Sequence, residues 1–126
     1  MPAASDFEEL LAVLDLRRAD EDTFFGVALS DLRRAAALFR PVHDRTDGVD
    51  GFVSLEVSPL LAYDAEATVA QAKRLHAQGG RPNLFIKIPG TSEGLPAITE
   101  VLGEGISVNV TLIFGLQRYD TVMDAY

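Results

Sequence analysis

The chain has no cysteine and no tryptophan, and its 126 residues include two methionines and two histidines. Without cysteine there is neither a disulfide framework nor a thiolate metal site, and the composition fits a reducing compartment. The histidines, His43 and His76, lie far apart in sequence, each inside a helical pattern, so no metal site is assigned. No apolar run approaches the roughly 18 residues of a membrane span. The opening stretch MPAASDFEELLAVLDL carries acidic residues where a targeting signal carries basic ones. Basic side chains are scarce throughout: 11 stand against 19 acidic ones, and the formal net charge of -8 repels a phosphate backbone or an anionic membrane. The expectation is a cytoplasmic protein with no metal, no cofactor, no nucleic-acid partner and no membrane.

What is present is one ordinary globular unit, 48% hydrophobic and 24% charged, long enough to bury a core. Ser5 and Glu8 have capping-box spacing ahead of Phe7, Leu10, Leu11 and Leu14, which predicts a first helix; residues 15–23 read as an acidic loop. Ser30 is expected to cap a second helix with an apolar stripe of Leu32, Ala35, Ala36, Leu38, Phe39 and Val42. Pro41 should bend that helix or end it early, and Asp47-Gly48 should stop it. From residue 51 the pattern is regular. GFVSLEVSP, NLFIKIP and ISVNVTLIF read as strands, and helices follow each of them, the first capped by Asp64 and closed by Gly79 or Gly80, the second carrying Pro96 in its first turn. The order β-α-β-α-β-α with short connections predicts parallel strands.

Alternation within these strands is informative. Central strands covered by helices on both faces read as continuous apolar runs. Here Phe52, Ser54, Glu56 and Ser58 share one face, opposite Val53, Leu55 and Val57. Asn83, Phe85 and Lys87 oppose Leu84, Ile86 and Ile88, and Ser107, Asn109 and Thr111 oppose Val108, Val110 and Leu112. One aliphatic face and one polar face per strand fit a (β/α) barrel, whose inner face points at the axis and whose catalytic groups project from the C-terminal strand ends. Glu56, Lys87 and Thr111 fall near that end of three successive strands.

A carboxylate, an ammonium and a hydroxyl on one interior face need partners or a purpose. An ion pair between Lys87 and Glu56 in a merely structural polar layer satisfies them. So does chemistry: desolvation disfavours the ammonium form of a lysine, and a free amine attacks a carbonyl to form a Schiff base, while a nearby carboxylate and hydroxyl hold and protonate the water that leaves. The turn PGTSEG that follows is read as a turn with Thr91 and Ser92 as helix caps, an anion-binding loop being the weaker alternative. Arg33, Arg34, Lys73 and Arg74 read as solvated helix faces, and Phe24-Phe25 as core.

The stretches DGFVSLEVSP, NLFIKIPGTSEGLPAI and GISVNVTLIF, in that order and spacing, resemble the transaldolase family, and SDLRRAAALFRPVHDRTDGVDG resembles the helix before its third barrel strand. The similarity covers residues 30–126 well and the first 29 loosely, and the bacterial type fits best. The resemblance implies an α/β fold, a partial (β/α)8 TIM barrel of the class I aldolase type. It would comprise about three βα units (51–126) after a helical segment with two helices (1–50), together one incomplete domain over residues 1–126. It implies transfer of a dihydroxyacetone unit from sedoheptulose 7-phosphate to glyceraldehyde 3-phosphate in the pentose phosphate pathway, with no metal because an iminium is the electron sink. By the same resemblance Lys87 is the Schiff-base lysine, Glu56 the acidic residue of the third strand, Thr111 the water-holding threonine of the fifth, and Asn109 a substrate-binding residue that hydrogen-bonds the dihydroxyacetone moiety.

The chain departs from the family at Gly90, usually Ala, and at Gly115, often Ser. It has no counterpart of the first strand's acid/base aspartate, of a TSNPT-like motif, or of the serine and arginine that hold the substrate phosphate. A (β/α)8 barrel takes ~200 residues or more, and three strands leave two unpaired edges open to self-association. The chain is therefore expected to be a fragment, weakly active or inactive alone. The alternatives are another class I sugar-phosphate aldolase and a non-catalytic partial-barrel interaction module.

Overall fold

A computed structural model describes residues 21–126. The first expected helix, at Ser5, lies outside the described residues. The chain runs α1 (Glu21–Arg45), β1 (Val53–Glu56), a 3-10 turn (Pro59–Leu61), α2 (Ala65–Gly79), β2 (Leu84–Pro89), α3 (Gly94–Gly103), β3 (Val108–Thr111) and α4 (Leu116–Ala125). The strands form one parallel sheet in sequence order, β1-β2-β3. Order that advances by one neighbour at each crossover is how a barrel grows, whereas a doubly wound sheet reverses at a switch point.

The aliphatic strand faces meet the helices as their alternation requires. Leu55, Val57, Leu84, Ile86, Ile88 and Val108 are buried and form one core with Val69, Ala72 and Leu75 of α2 and Ala97, Ile98 and Val101 of α3. Each buried Val, Leu or Ile side chain contributes about 1.5–3 kcal/mol, so this layer holds the sheet to its helices. Asp64 caps α2 by accepting from the Ala67 N–H at 3.0 Å, and Gly80 closes it at φ 58, as expected. Lys73 and Arg74 face solvent and reach across to neighbouring elements, Lys73 to Glu104 at 2.6 Å and Arg74 to Asp22 at 2.9 Å.

α1 corrects the expectation in several places. It is already helical at Glu21, the first described residue, so residues 21–23 are helix and Ser30 is an exposed interior residue, not a cap. Phe25 and Leu29 extend the apolar face one turn upstream of Leu32 and Ala36 and bury it in the common core, and that burial outweighs a favourable cap residue. Phe24 is 63% exposed and lies outside this core. Pro41 does not end the helix, which continues to Arg45; its cost is a missing N–H on an exposed face, while His43 beyond it packs edge-on against Phe52 with ring centroids 5.0 Å apart. Leu38 and Phe39 of the expected stripe are exposed. Asp47 and Gly48 do stop the helix, both with positive φ, and Gly51 at φ 79 passes so close to the His43 backbone that a side chain there would collide with it.

β3 is shorter than expected. It ends at Thr111 because Leu112 turns to φ 61, which takes Leu112 out of the aliphatic face and leaves it half exposed. A non-glycine residue in that region is strained, and such strain gathers at functional sites. No described helix is long and apolar enough to cross a membrane.

Candidate active site on the open sheet face

The sheet's other face carries the polar row. The parallel register pairs Glu56 with Lys87 and Lys87 with Asn109, so these three residues of successive strands lie side by side. Thr111 pairs with Pro89, one inward-facing position further toward the C-terminal end. Lys87 Nζ donates to Glu56 Oε2 at 3.1 Å, and Glu56 is its one hydrogen-bond partner among the described residues. The structure thus brings Lys87 and Glu56 into contact and sets Asn109 and Thr111 beside and beyond them, without a hydrogen bond from either side chain to Lys87.

Stability does not account for the pair. Its side chains are 28% and 41% exposed, and a partly solvated pair of this kind contributes about 0–1 kcal/mol. An aliphatic residue packed at position 87 would do as well. The pair faces away from the helix-covered core, and water or a small solute can reach it.

Not every polar residue expected on this face belongs to it. Asn83 is fully buried and donates through Nδ2 to the carbonyls of Ala36 at 2.9 Å and Gly51 at 2.8 Å, tying α1 to the start of the sheet. Ser58 is buried too. Its N–H donates to Gln71 Oε1 at 2.5 Å and its hydroxyl accepts from the Leu60 N–H, so it ends β1 and starts the 3-10 turn. Parity put both on the polar face, but the chain has left the strand at each position. Below the row, Phe52 and Phe85 pack with centroids 4.2 Å apart and close the lower part of the face.

The rim is built from the turns that follow the strands. Thr91 accepts from the Gly94 N–H at 2.9 Å and so satisfies the first N–H of α3, although the N-cap position itself is Glu93, which makes no side-chain cap bond, while Ser92 instead accepts from Arg118 Nη2 at 3.2 Å. No sequence signal marks the Arg118 contact, because it joins the turn before α3 to the first turn of α4, with α3 and β3 between them in the chain. A cleft of about 460 Å³ along the free edge of β3 takes in Asn109, Phe85, Met123 and Tyr126 but neither Lys87 nor Glu56. Among the described residues no group of three or more His, Asp or Glu side chains is placed to hold a metal ion.

A family model described as Transaldolase/Fructose-6-phosphate aldolase matches residues 3–126. The chain is 57% identical over 121 residues to Transaldolase 1 of Streptomyces avermitilis, covering 95% of this chain and 32% of that protein. It is 55% identical over 126 residues to a transaldolase of Frankia alni, covering 98% of this chain and 34% of the relative. With a transaldolase of Thermobifida fusca it shares 66% identity over 96 residues, 76% of this chain and 26% of that one. The chain thus spans about a third of the length of the first two relatives and about a quarter of the third.

Proposed function

The chain belongs to the transaldolase/fructose-6-phosphate aldolase family, and on that premise we propose that it carries the Schiff-base centre of a transaldolase. Among the described residues, the three-stranded parallel sheet with its four helices is consistent with part of that family's TIM barrel. The observation that carries the proposal is the Lys87–Glu56 contact at 3.1 Å, at the C-terminal end of paired strands on the face that the helices leave open.

In this reading the Lys87 amine attacks the carbonyl carbon of a ketose phosphate such as sedoheptulose 7-phosphate. The carbonyl oxygen takes up one proton that the attacking amine loses and a second delivered through Glu56, then leaves as water, which Thr111 holds. The resulting iminium accepts the electron pair released when the adjacent carbon–carbon bond breaks, which gives an enamine on Lys87 and frees an aldose phosphate. Asn109, next to Lys87 in the row, hydrogen-bonds a hydroxyl of the three-carbon unit. The enamine then attacks a second aldose phosphate, such as glyceraldehyde 3-phosphate, and hydrolysis releases the product. This is a cytoplasmic step of the pentose phosphate pathway. Bond cleavage needs a base for the neighbouring hydroxyl, and the family's aspartate for that task has no counterpart motif here. We therefore propose that the 126-residue chain forms the lysine adduct while turning over poorly.

The test uses the fact that the chain has two lysines, Lys73 and Lys87. Incubation with the ketose phosphate, reduction with borohydride and peptide mass mapping should place the adduct on Lys87 alone, and Lys87→Met should abolish it. No adduct, or one on Lys73, would sink the reading. The family description also covers fructose-6-phosphate aldolases, so the second reading is an aldolase that releases free dihydroxyacetone. Cleavage of fructose 6-phosphate to free dihydroxyacetone without an aldose acceptor would favour it.

A further inference from the structure

The turn after β2 is anchored on three sides. The Gly90 N–H donates to the Thr111 carbonyl at 2.8 Å on the β3 side. Gly94 sits so close to the Pro89 carbonyl that a side chain there would collide with it. Toward β1, the Thr91 hydroxyl donates to the Ala62 carbonyl at 2.5 Å while accepting from the Gly94 N–H. Capping α3 needs an acceptor, so the donation to Ala62 is a separate task.

Its place in the chain suggests what that task is. Glu56 and Lys87 are the last registered pair of β1 and β2, and the final ladder bond runs from the Val57 N–H to the Lys87 carbonyl at 3.1 Å. Beyond it the two chains diverge, one into the 3-10 turn at Pro59–Leu61 and the other to Pro89. Among the described residues the next hydrogen bond between the two chains is Thr91 to Ala62. The ladder on one side and this bond on the other therefore frame the Lys87–Glu56 contact.

We propose that Thr91 is a positioning residue: by donating to Ala62 it holds the turn after β2 against the loop after β1, and so fixes the separation of Lys87 Nζ and Glu56 Oε2. The catalytic consequence rests on the Schiff-base reading above; the effect on the Lys87–Glu56 geometry does not.

Two variants separate the hydroxyl from the shape. Thr91→Val keeps the branched side chain and removes the hydroxyl, and Thr91→Ser keeps the hydroxyl. Each is first melted to establish cooperative unfolding, with Thr91→Ala replacing the valine variant if that one does not fold. Competitive acetylation with acetic anhydride at one fixed pH then compares the labelling rate of Lys87 with that of Lys73, whose partner Glu104 lies outside the frame. The valine variant should change the Lys87 labelling rate by roughly threefold, because the carboxylate that its amine hydrogen-bonds no longer stands at a fixed distance. Lys73 should stay put, and serine should restore the wild-type rate. The borohydride-trapped adduct with dihydroxyacetone should form roughly tenfold more slowly in the valine variant.

A Lys87 labelling rate in Thr91→Val equal to that of wild type overturns the proposal, as does a serine variant that behaves like valine. Absence of any wild-type adduct counts against the Schiff-base reading alone, since the labelling comparison still decides the role of Thr91.

Discussion

Lys87 lies between Ile86 and Ile88, and its two neighbours are among the most buried side chains of the molecule while it meets Glu56 on the opposite face. Removing the carboxylate charge but keeping its shape isolates that contact. Glu56→Gln should leave the melting transition almost unchanged, since such a pair holds about 0–1 kcal/mol, and should slow adduct formation at Lys87 by about a hundredfold through loss of proton transfer; trapping kinetics and a thermal melt measured together check both. Ion pairs elsewhere act differently. The Lys73 ammonium is held above its ordinary pKa by its hydrogen bond to Glu104, and the Asp44 carboxyl below its own by hydrogen bonds from Arg40 and His43. A raised lysine pKa adds stability at neutral pH that fades as pH rises through the folded value. The melting difference between wild type and Glu104→Gln should therefore be present at neutral pH and vanish well above about pH 10.4. For Asp44 the sign reverses, and its contribution is lost as pH falls below the usual carboxylate range.

At the scale of elements, the sheet depends on its aliphatic face. Ile86→Ala removes a fully buried side chain of the central strand and should cost about 2–5 kcal/mol in denaturant unfolding. Leu112 stands at φ 61 on the exposed rim, so Leu112→Gly should stabilise the chain by about 1 kcal/mol by the same measure. Element boundaries were legible where a side chain makes them locally. Asp64 and Gly80 cap α2 through contacts within a few residues, and alternation alone gave the faces of β1 and β2. They were illegible where burial decides. Ser30 has the chemistry of a cap but sits inside α1, because Phe25 and Leu29 upstream reach the core and keep the chain helical there. Pro41 has the chemistry of a stop, yet packing of His43 on Phe52 carries the helix past it.

At the scale of the whole molecule, the sheet has two free edges among the described residues, on β1 and β3. Along α4, Leu116, Tyr119, Met123 and Tyr126 are exposed on one helical stripe, while Val122 faces inward and the Tyr126 hydroxyl donates to the Val108 carbonyl at 3.1 Å. We propose that the chain self-associates through the β3 edge and this stripe. Sedimentation velocity should show mass rising with concentration, and Met123→Glu should shift it toward monomer; a single monomeric species at all concentrations would count against the proposal.

The sequence by itself determined the parallel β/α order, the two-faced strands and the identity of the four residues set on the open face, because alternation and turn chemistry are properties of near neighbours. Only the tertiary structure decided that Glu56 and Lys87 touch, that Asn109 shares their row while Thr111 stands beyond it, and that Asn83 and Ser58 serve the framework instead. Register, strand ends and the Thr91–Ala62 bond join residues far apart in the chain. They are fixed by which surfaces pack together, and local sequence carries no record of that.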